Sequence, residues 1–161
     1  MTSTAVTEIE RGVVEAASRF FKLVLLVGGR DEDRSVALRE YARSVAVHPL
    51  SIGIRLAGSL VSSPTRLRPV RAAEEFRCAV AERDAEAVVL LDNLNVLFLQ
   101  ELHLDPLKLL RDGARNRVVV ANWPGVCQGQ RLEYAVIGHP EHRGWVAQDC
   151  LVVELTKERQ G

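Results

Sequence analysis

Residues 24–35, VLLVGGRDEDRS, have the outline of a phosphate-binding loop. In the motif G-x-x-x-x-G-K-[ST], glycines let main-chain N–H groups surround a phosphate, the lysine reaches the outer phosphates, and the Ser or Thr binds Mg²⁺. Gly28 and Ser35 stand at the first and last positions of this motif, whereas Asp33 replaces the second glycine and Arg34 replaces the lysine. We therefore interpret the stretch as a degenerate Walker A loop, whose candidate nucleotide-binding residues are Gly28, Gly29, Arg34 and Ser35.

Three consecutive acids set this loop apart from a working nucleotide site. Asp31, Glu32 and Asp33 would place negative charge where a polyphosphate should lie, and each like-charge contact at ~4 Å costs on the order of 1 kcal/mol in water. The planar guanidinium of Arg34 is also no simple substitute for an ammonium group. We expect no appreciable ATP hydrolysis and at most weak nucleotide binding. Two alternatives stay open. The first is an ATP site in which Arg34 and Ser35 still bind the phosphates, and the second is a plain strand-to-helix turn whose acids stabilise the helix N-terminus.

Polar residues end two further apolar runs. Asp92 ends AVVLLD at the position of a Walker B aspartate, where it could meet Mg²⁺ together with Ser35. Asn93 follows it in place of the glutamate that many such enzymes use to activate water. Asn122 ends RVVVAN, where many ATPases of this class carry a polar sensor residue. The residue types therefore allow ATP and Mg²⁺ as ligands without requiring them.

A parallel sheet would bring these strand ends together. Five apolar runs are too continuous for half-exposed strands and too short for buried helices, and they alternate with amphipathic helical patterns. We therefore predict an α/β fold of three layers with a mostly parallel five-stranded sheet. The predicted strands are residues 22–27, 50–57, 87–92, 117–122 and 150–155, and the predicted helices lie within residues 1–21, 33–47, 72–85 and 105–116.

The composition fits a single domain over residues 1–161. The chain is 47% hydrophobic, and its 21 basic and 21 acidic residues give no overall attraction to nucleic acid. No run approaches the ~18 apolar residues of a membrane span, and the first residues carry acids where a signal peptide would be basic, so we expect a cytoplasmic protein. The three cysteines are far apart in the sequence, and we interpret them as reduced and structural.

Two segments carry the remaining candidates. Residues 59–71 read as a linker, and their acid-free run contains Arg66, Arg68 and Arg71, which could contact phosphate or a protein partner. Residues 122–148 form a loop-rich segment with at most a hairpin near residues 132–137. Its HPEHR sequence, residues 139–143, favours a solvated loop over a zinc site, because two histidines without further ligands are weak evidence for a metal.

Four stretches together resemble the small P-loop-containing BrxF proteins of type 3 BREX phage-defence systems. They are LVLLVGG…RS, VVLLDNLNVLF, DPLKLLRDGARNRVVVANWPG and RLEYAVIGHPEHR, and the resemblance runs from about residue 23 to the end. It implies a P-loop-NTPase-like fold in which the fourth strand lies between the first and the third. The strand that begins at Lys22 would then be central, beside the strand ending at Asn122, which lies beside the strand ending at Asp92. Of the family's Walker A motif, Gly28 and Ser35 match this chain, while Asp33 and Arg34 depart from it.

The same resemblance implies a cytoplasmic component of a multi-protein system that stops phage DNA replication. The expected partners are other BREX proteins, with a BrxC-like ATPase as the first choice. We expect a non-catalytic or weakly nucleotide-binding partner subunit. The alternatives are an ATP-binding or ATP-hydrolysing switch and a DNA-contacting adaptor that uses Arg66, Arg68 and Arg71. A homo-oligomer also stays open.

Overall fold

The computed structural model describes residues 3–83, 85–134 and 143–155, which form an α/β fold around a parallel sheet. Its strands in this part of the chain are β1 (Leu23–Val27), β2 (Leu50–Ser51), β3 (Val88–Asp92), β4 (Val118–Asn122), β5 (Gly125–Gln128), β6 (Arg131–Tyr134), β7 (Arg143–Val146) and β8 (Leu151–Glu154). Its α-helices are α1 (Thr4–Ala16), α2 (Asp31–Val45), α3 (Ile52–Ser62), α4 (Arg68–Ala81) and α5 (Pro106–Gly113).

Five strands form one all-parallel sheet in the order β2–β3–β4–β1–β8. In the register, Val24 of β1 pairs with Val120 of β4, and Val89 of β3 pairs with Val119 of β4. The expected order of these strands is therefore confirmed, because β4 lies between β1 and β3, but the middle strand of the five is β4, and β1 lies between β4 and β8. All five residues of β1 and all five of β4 are buried, as their continuous apolar sequence predicts.

Helices cover both faces of the sheet, and alternate residues of β1 face different helices. Val24 packs in a core with Ile9 of α1 and Leu38 of α2. Leu25 packs in a second core with residues such as Phe76 of α4, where α3 and α5 also contribute. The parallel sheet is thus the middle layer between two helical layers, which explains why its strands are apolar on both sides.

The prediction of a strand over residues 50–57 is wrong beyond its first two residues. Only Leu50 and Ser51 pair with β3, and the chain then enters α3. The Ser51 hydroxyl accepts a hydrogen bond from the Ile54 N–H at 3.3 Å and caps the helix. Ile52 and Leu56 are fully buried one turn apart, whereas Ile54 between them is exposed. This helical period decides the structure, and an apolar run this short does not reveal it reliably.

Other boundaries also differ from the expectations. The predicted linker, residues 59–71, is the end of α3, a short 3₁₀ turn at Thr65–Leu67 and the first turn of α4. Helix α2 begins at Asp31 rather than at residue 33, and it ends at Val45, after which Ala46 adopts the left-handed conformation. Helix α1, Thr4–Ala16, occupies only part of the residues 1–21 predicted for it. Helix α5 ends at Gly113, before the end of the predicted range 105–116.

The loop-rich segment, residues 122–148, contains a small antiparallel sheet of β5, β6 and β7. A cluster of rings holds it against the rest of the fold: Phe98 stacks on Tyr134 with 4.2 Å between centroids and meets Trp123 and Trp145 edge-on. A hairpin is present, in which β5 pairs with β6, but its turn precedes the predicted residues 132–137, of which residues 132–134 belong to β6. Residues 135–142, including most of the HPEHR sequence, lie outside the described residues.

Within the residues that the structure describes, no helix combines the length and apolar composition that a bilayer span requires.

Candidate functional site

The carboxyl ends of β1, β3 and β4 bring most of the predicted site residues together at one edge of the sheet. Ligands of open α/β sheets bind at this edge. We name the polar group found there the carboxyl-edge cluster, and its members are Gly28, Gly29, Asp31, Arg34, Ser35, Asp92 and Asn122.

The turn between β1 and α2 is shorter than a phosphate-binding loop. Gly28, Gly29 and Arg30 alone connect the strand to the helix, which begins at Asp31. Both glycines have left-handed φ angles, 82° and 61°, and this region strains residues that carry a Cβ. A Cβ on Gly28 would lie 3.1 Å from Glu154 Cγ. The two glycines therefore serve a tight turn against β8.

The amino terminus of α2 carries its own carboxylate. The N–H of Arg30 donates to Asp33 Oδ2 at 3.4 Å, and the Arg30 guanidinium lies 3.6 Å from the same oxygen. An acid at this position is favoured by the helix dipole. Asp33 thus occupies the helix end at which a phosphate would otherwise receive main-chain hydrogen bonds.

The Arg34 side chain folds back under the turn and is 5% exposed. Its Nη1 donates to the carbonyl oxygens of Gly28 at 2.8 Å and Gly29 at 3.2 Å, and its Nε donates to Asn122 Oδ1 at 2.7 Å. Its Nη2 donates to Asp31 Oδ1 at 3.3 Å. The turn therefore directs two carbonyl oxygens toward the space beneath it, and the guanidinium fills that space.

Asn122 joins the ends of β3 and β4 to α2. It is 2% exposed, and its Nδ2 donates to Asp92 Oδ1 at 2.9 Å and to Ser35 Oγ at 3.2 Å. Ser35 Oγ in turn donates to Asp92 Oδ1 at 3.1 Å. The predicted magnesium pair, Ser35 and Asp92, thus lies in direct contact, and Asn122 bonds both members.

The cluster combines one cation, Arg34, with two carboxylates, Asp31 and Asp92. Burial lowers the pKa of the Arg34 guanidinium from its ordinary value, and the negative charge of Asp31 opposes this shift, with smaller contributions from Asp92 and Asp33. Arginine nevertheless stays charged in proteins. The side chain of Asp31 is 60% exposed, so the cluster holds one buried cation with carboxylates around it.

These residues do not fit a magnesium nucleotide. A phosphate would meet carbonyl oxygens and the carboxylates of Asp31 and Asp33 where it needs N–H donors and a free cation. Asn122 bonds both the Arg34 guanidinium and Asp92, and the positive charge of Arg34, which acts on Asp92, would repel a second cation there. Within residues 3–83, 85–134 and 143–155, no group of three or more His, Cys, Asp or Glu side chains is placed to hold a metal ion.

Asn93 stands where many such enzymes carry the glutamate that activates water, but its side chain contacts the start of α3. It has a left-handed φ of 57°, and its side-chain Nδ2 donates to Ser51 Oγ at 3.1 Å. Its carbonyl oxygen accepts a hydrogen bond from Gly53, the second residue of α3. The Asn93 side chain therefore fastens the start of α3 to the end of β3.

The three arginines predicted to contact phosphate or a partner lie at the turn between α3 and α4. Arg66 is exposed on the 3₁₀ turn. Arg68 donates from Nε to the Ser63 carbonyl at 3.3 Å, and Arg71 lies 3.7 Å from Glu74 one turn further along α4. None of these contacts belongs to the carboxyl-edge cluster.

Sequence reasoning missed the role of Asp31. We expected this acid to repel phosphate, but in the structure it pairs with Arg34 and also accepts a hydrogen bond from Asn122 Nδ2 at 3.4 Å. The spacing of three residues between Asp31 and Arg34 on a helix was the available signal, because such residues are neighbours on the helix surface.

Comparisons of the chain with protein-family models, with curated proteins and with solved structures found no match.

Proposed function

We propose that this chain is a non-catalytic subunit of a protein assembly, built on a P-loop-NTPase-like domain whose phosphate loop has become an internal ion-pair cluster. The observation that carries the proposal is the Arg34 guanidinium, which binds the carbonyl oxygens of the β1–α2 turn from inside. Catalysis of phosphoryl transfer needs preorganised positive charge aimed at the phosphates. In this chain the cation at the lysine position, Arg34, is bound by internal partners, so its charge is not directed at a phosphate.

Two features support descent of the fold from a nucleotide-binding domain. The strand order places β4 between β1 and β3, as the resemblance to P-loop proteins implies. The residues at the Walker A serine and Walker B aspartate positions, Ser35 and Asp92, are hydrogen-bonded at 3.1 Å. A site can keep this arrangement as structure after its ligand is lost, because the buried polar groups still need partners.

The sequence resemblance makes a BREX phage-defence complex the system that we propose, with a BrxC-like ATPase as the first partner to test. An exposed apolar face of α3 supports an assembly role. Ile54 is 77% exposed and Val61 is 83% exposed, seven residues apart and therefore on the same side of the helix. Ala57 and Gly58 are exposed between them. Contiguous apolar surface of this kind marks protein interfaces more often than isolated residues do.

The charge around this face favours an acidic partner over a second copy of the chain. Residues 46–73 contain no acid, and Arg66 and Arg71 are exposed beyond the end of α3. Arg71 has Glu74 3.7 Å away, but two copies that met through α3 would bring their Arg66 side chains together without carboxylates from the same stretch. A partner surface with acids around an apolar centre would complement it.

Nucleotide affinity is the direct test of the ion-pair cluster. We expect isothermal titration of the purified chain with ATP and Mg²⁺ to give no saturable binding tighter than about 1 mM, which corresponds to roughly −4 kcal/mol. The double variant Asp33→Gly/Arg34→Lys should bind no better, because the helix begins too early to leave a phosphate loop. Micromolar Mg²⁺-dependent binding by the unmodified chain, weakened by Arg34→Ala, would instead establish an ATP-binding switch.

Partner binding is tested separately. Co-purification with the BrxC-like ATPase should be lost in Ile54→Ser/Val61→Ser and kept in Val14→Ser, since Val14 is equally apolar and 75% exposed but lies on α1. If both variants bind like the parent, the α3 face is not the interface. If the parent itself fails to bind any BREX protein, the proposed system is wrong.

A further inference from the structure

A second surface, at the amino-terminal edge of the parallel sheet, combines phenylalanine rings with basic side chains. We name it the aromatic–basic patch, and its members are Arg19, Phe20, Phe21, Lys22, Arg111 and Arg115. It lies where the chain enters β1 and where α5 leads into β4, at the opposite sheet edge from the carboxyl-edge cluster. It shares no residue with that cluster or with the α3 face, so the inference does not rest on the proposed function.

Phe20 presents an unusually large apolar surface to solvent. Its side chain is 67% exposed, and its ring meets Phe21 edge-on with 4.8 Å between centroids and an interplanar angle of 89°. The contacts with its neighbours therefore leave most of Phe20 open to solvent. Aromatic side chains gain most from burial, so this exposed ring surface is available to a planar partner.

Guanidinium groups lie over both rings. The Arg115 guanidinium carbon is 5.3 Å from the centroid of Phe20, and that of Arg111 is 5.9 Å from the centroid of Phe21. These distances are within the range of cation–π contacts. The rings and cations therefore hold each other in place on the surface.

Lys22 ties the two chain segments of the patch together. Its Nζ donates to the carbonyl oxygens of Arg19 at 3.0 Å and Arg115 at 3.1 Å, and its N–H donates to Ala114 O at 2.7 Å. Neutral carbonyl groups orient the ammonium without cancelling its charge. The turn that carries Phe20 is thereby fixed to the turn after α5.

The patch carries more positive than negative charge. Glu15 pairs with Arg19 at 3.0 Å, but within the described part of the chain Lys22, Arg111 and Arg115 are in no ion pair. Asp112 is adjacent to Arg111 on α5, and neighbouring residues on a helix do not face each other. Asp149 is a further carboxylate nearby, since it acts on the Cys150 thiol together with Arg111 and Arg19. In a chain with no net charge, the patch is a local excess of cations, three of which are in no ion pair within the described residues.

We propose that the aromatic–basic patch binds single-stranded nucleic acid, with a base stacked on Phe20 and phosphates contacted by Lys22, Arg111 and Arg115. An exposed ring beside cations is the combination that single-strand sites use, because every base has a flat face and every nucleotide a negative charge. A duplex keeps its base faces stacked inside and offers only the phosphates. Stacking therefore makes the patch select a single strand over a duplex.

Binding of a fluorescently labelled oligothymidylate to the full chain, followed by anisotropy, tests the proposal against a duplex of the same length. We expect the single strand to bind more tightly, with a slope of log K against log salt of about −2 for three phosphate contacts. Phe20→Leu, which keeps the apolar bulk but loses the ring, should weaken binding at least about fivefold, the equivalent of ~1 kcal/mol. Phe20→Trp should bind at least as tightly as the parent.

The contribution of positive charge to binding is tested with variants of two exposed arginines. Arg115→Gln should reduce the steepness of the salt slope by about 0.7, whereas Arg66→Gln on the 3₁₀ turn should leave it unchanged. Arg66 serves as the control because it lies far from the patch. The first turn of α4, which follows Arg66, is about 18 Å along the helix from Val80, and Val80 packs near Gly113 at the end of α5. Both arginines are exposed, and thermal unfolding of each variant checks that the fold is kept.

Several results would overturn the proposal. Equal binding by Phe20→Leu and the parent would exclude stacking, and equal binding of duplex and single strand would leave only nonspecific charge. Binding to vesicles of anionic phospholipid without binding to the oligonucleotide would identify a membrane surface instead. Failure of the parent to bind the oligonucleotide at low salt would refute the inference directly, whatever the outcome of the nucleotide and partner experiments.

Discussion

Replacing Arg34 by alanine tests whether the carboxyl-edge cluster is a structural element of this fold. The guanidinium is buried, and it donates to Asn122 Oδ1 at 2.7 Å and to the carbonyl oxygen of Gly28 at 2.8 Å. Alanine would leave both acceptors without these donors inside the protein. It would also remove the cation that lies among the surrounding carboxylates.

The expected cost is about 3 kcal/mol of unfolding free energy. Each buried acceptor left without its donor costs ~1–3 kcal/mol, and removing one member of a fully buried ion pair costs roughly 3–5 kcal/mol. The lower part of this range applies, because the Asp31 side chain is 60% exposed and solvent screens its loss of Arg34. A domain of ordinary stability, roughly 5–15 kcal/mol, would remain folded.

Urea unfolding followed by circular dichroism measures this cost. Arg34→Lys should lose less than Arg34→Ala, because the ammonium keeps the charge but cannot reproduce the planar set of donors. The matched control is Arg30→Ala: the Arg30 side chain is 71% exposed, so its loss should change stability by no more than ~0.5 kcal/mol. If Arg34→Ala costs less than ~1 kcal/mol, or no more than Arg30→Ala, the cluster is not the structural element that we describe.

Three further predictions concern other parts of the fold. Asn122→Leu, which keeps the side-chain volume but removes its hydrogen bonds, should lower the unfolding free energy by ~2–3 kcal/mol in urea titrations. On α3, Gly58→Ala should raise it by ~0.5–1 kcal/mol, because a Cβ there meets nothing within 4 Å, whereas Gly53→Ala should lower it because its Cβ would collide with the amide of the residue after β3. Burial raises the pKa of the Cys150 thiol to about 11, so iodoacetamide at pH 8 should modify the exposed Cys78 first and Cys150 only after unfolding, as read by mass spectrometry.

Each of these predictions has an outcome that contradicts it. Parent-like stability of Asn122→Leu would mean that water replaces the lost hydrogen bonds. Destabilisation by Gly58→Ala would mean that the added Cβ meets a neighbouring atom, although none lies within 4 Å of it in this structure. Labelling of Cys150 in the folded protein at the rate of Cys78 would show that the thiol at the start of β8 is accessible.

Most of the sheet could be predicted from the sequence, because strands buried on both faces must be apolar at every position. Residues 22–27 and 117–122 show this pattern and became β1 and β4. Residues 50–57 are also apolar, but only Leu50 and Ser51 form a strand. The outcome there depended on the cap at Ser51 and on packing of α3 against α4, where Arg55 pairs with Glu75 at 2.6 Å. Contacts made this far along the chain are not visible in a local pattern.

The sequence by itself determined which polar residues meet at the carboxyl edge. Asp92 and Asn122 end their strands, and Ser35 lies near the start of the helix after β1, so a parallel arrangement of the strands was enough to place them together. Only the tertiary structure decided what they do. The left-handed turn at Gly28 and Gly29 directs carbonyl oxygens inward, and a buried carbonyl requires a donor. Arg34 supplies that donor by folding inward, so the side chain that could have bound a phosphate binds the turn instead.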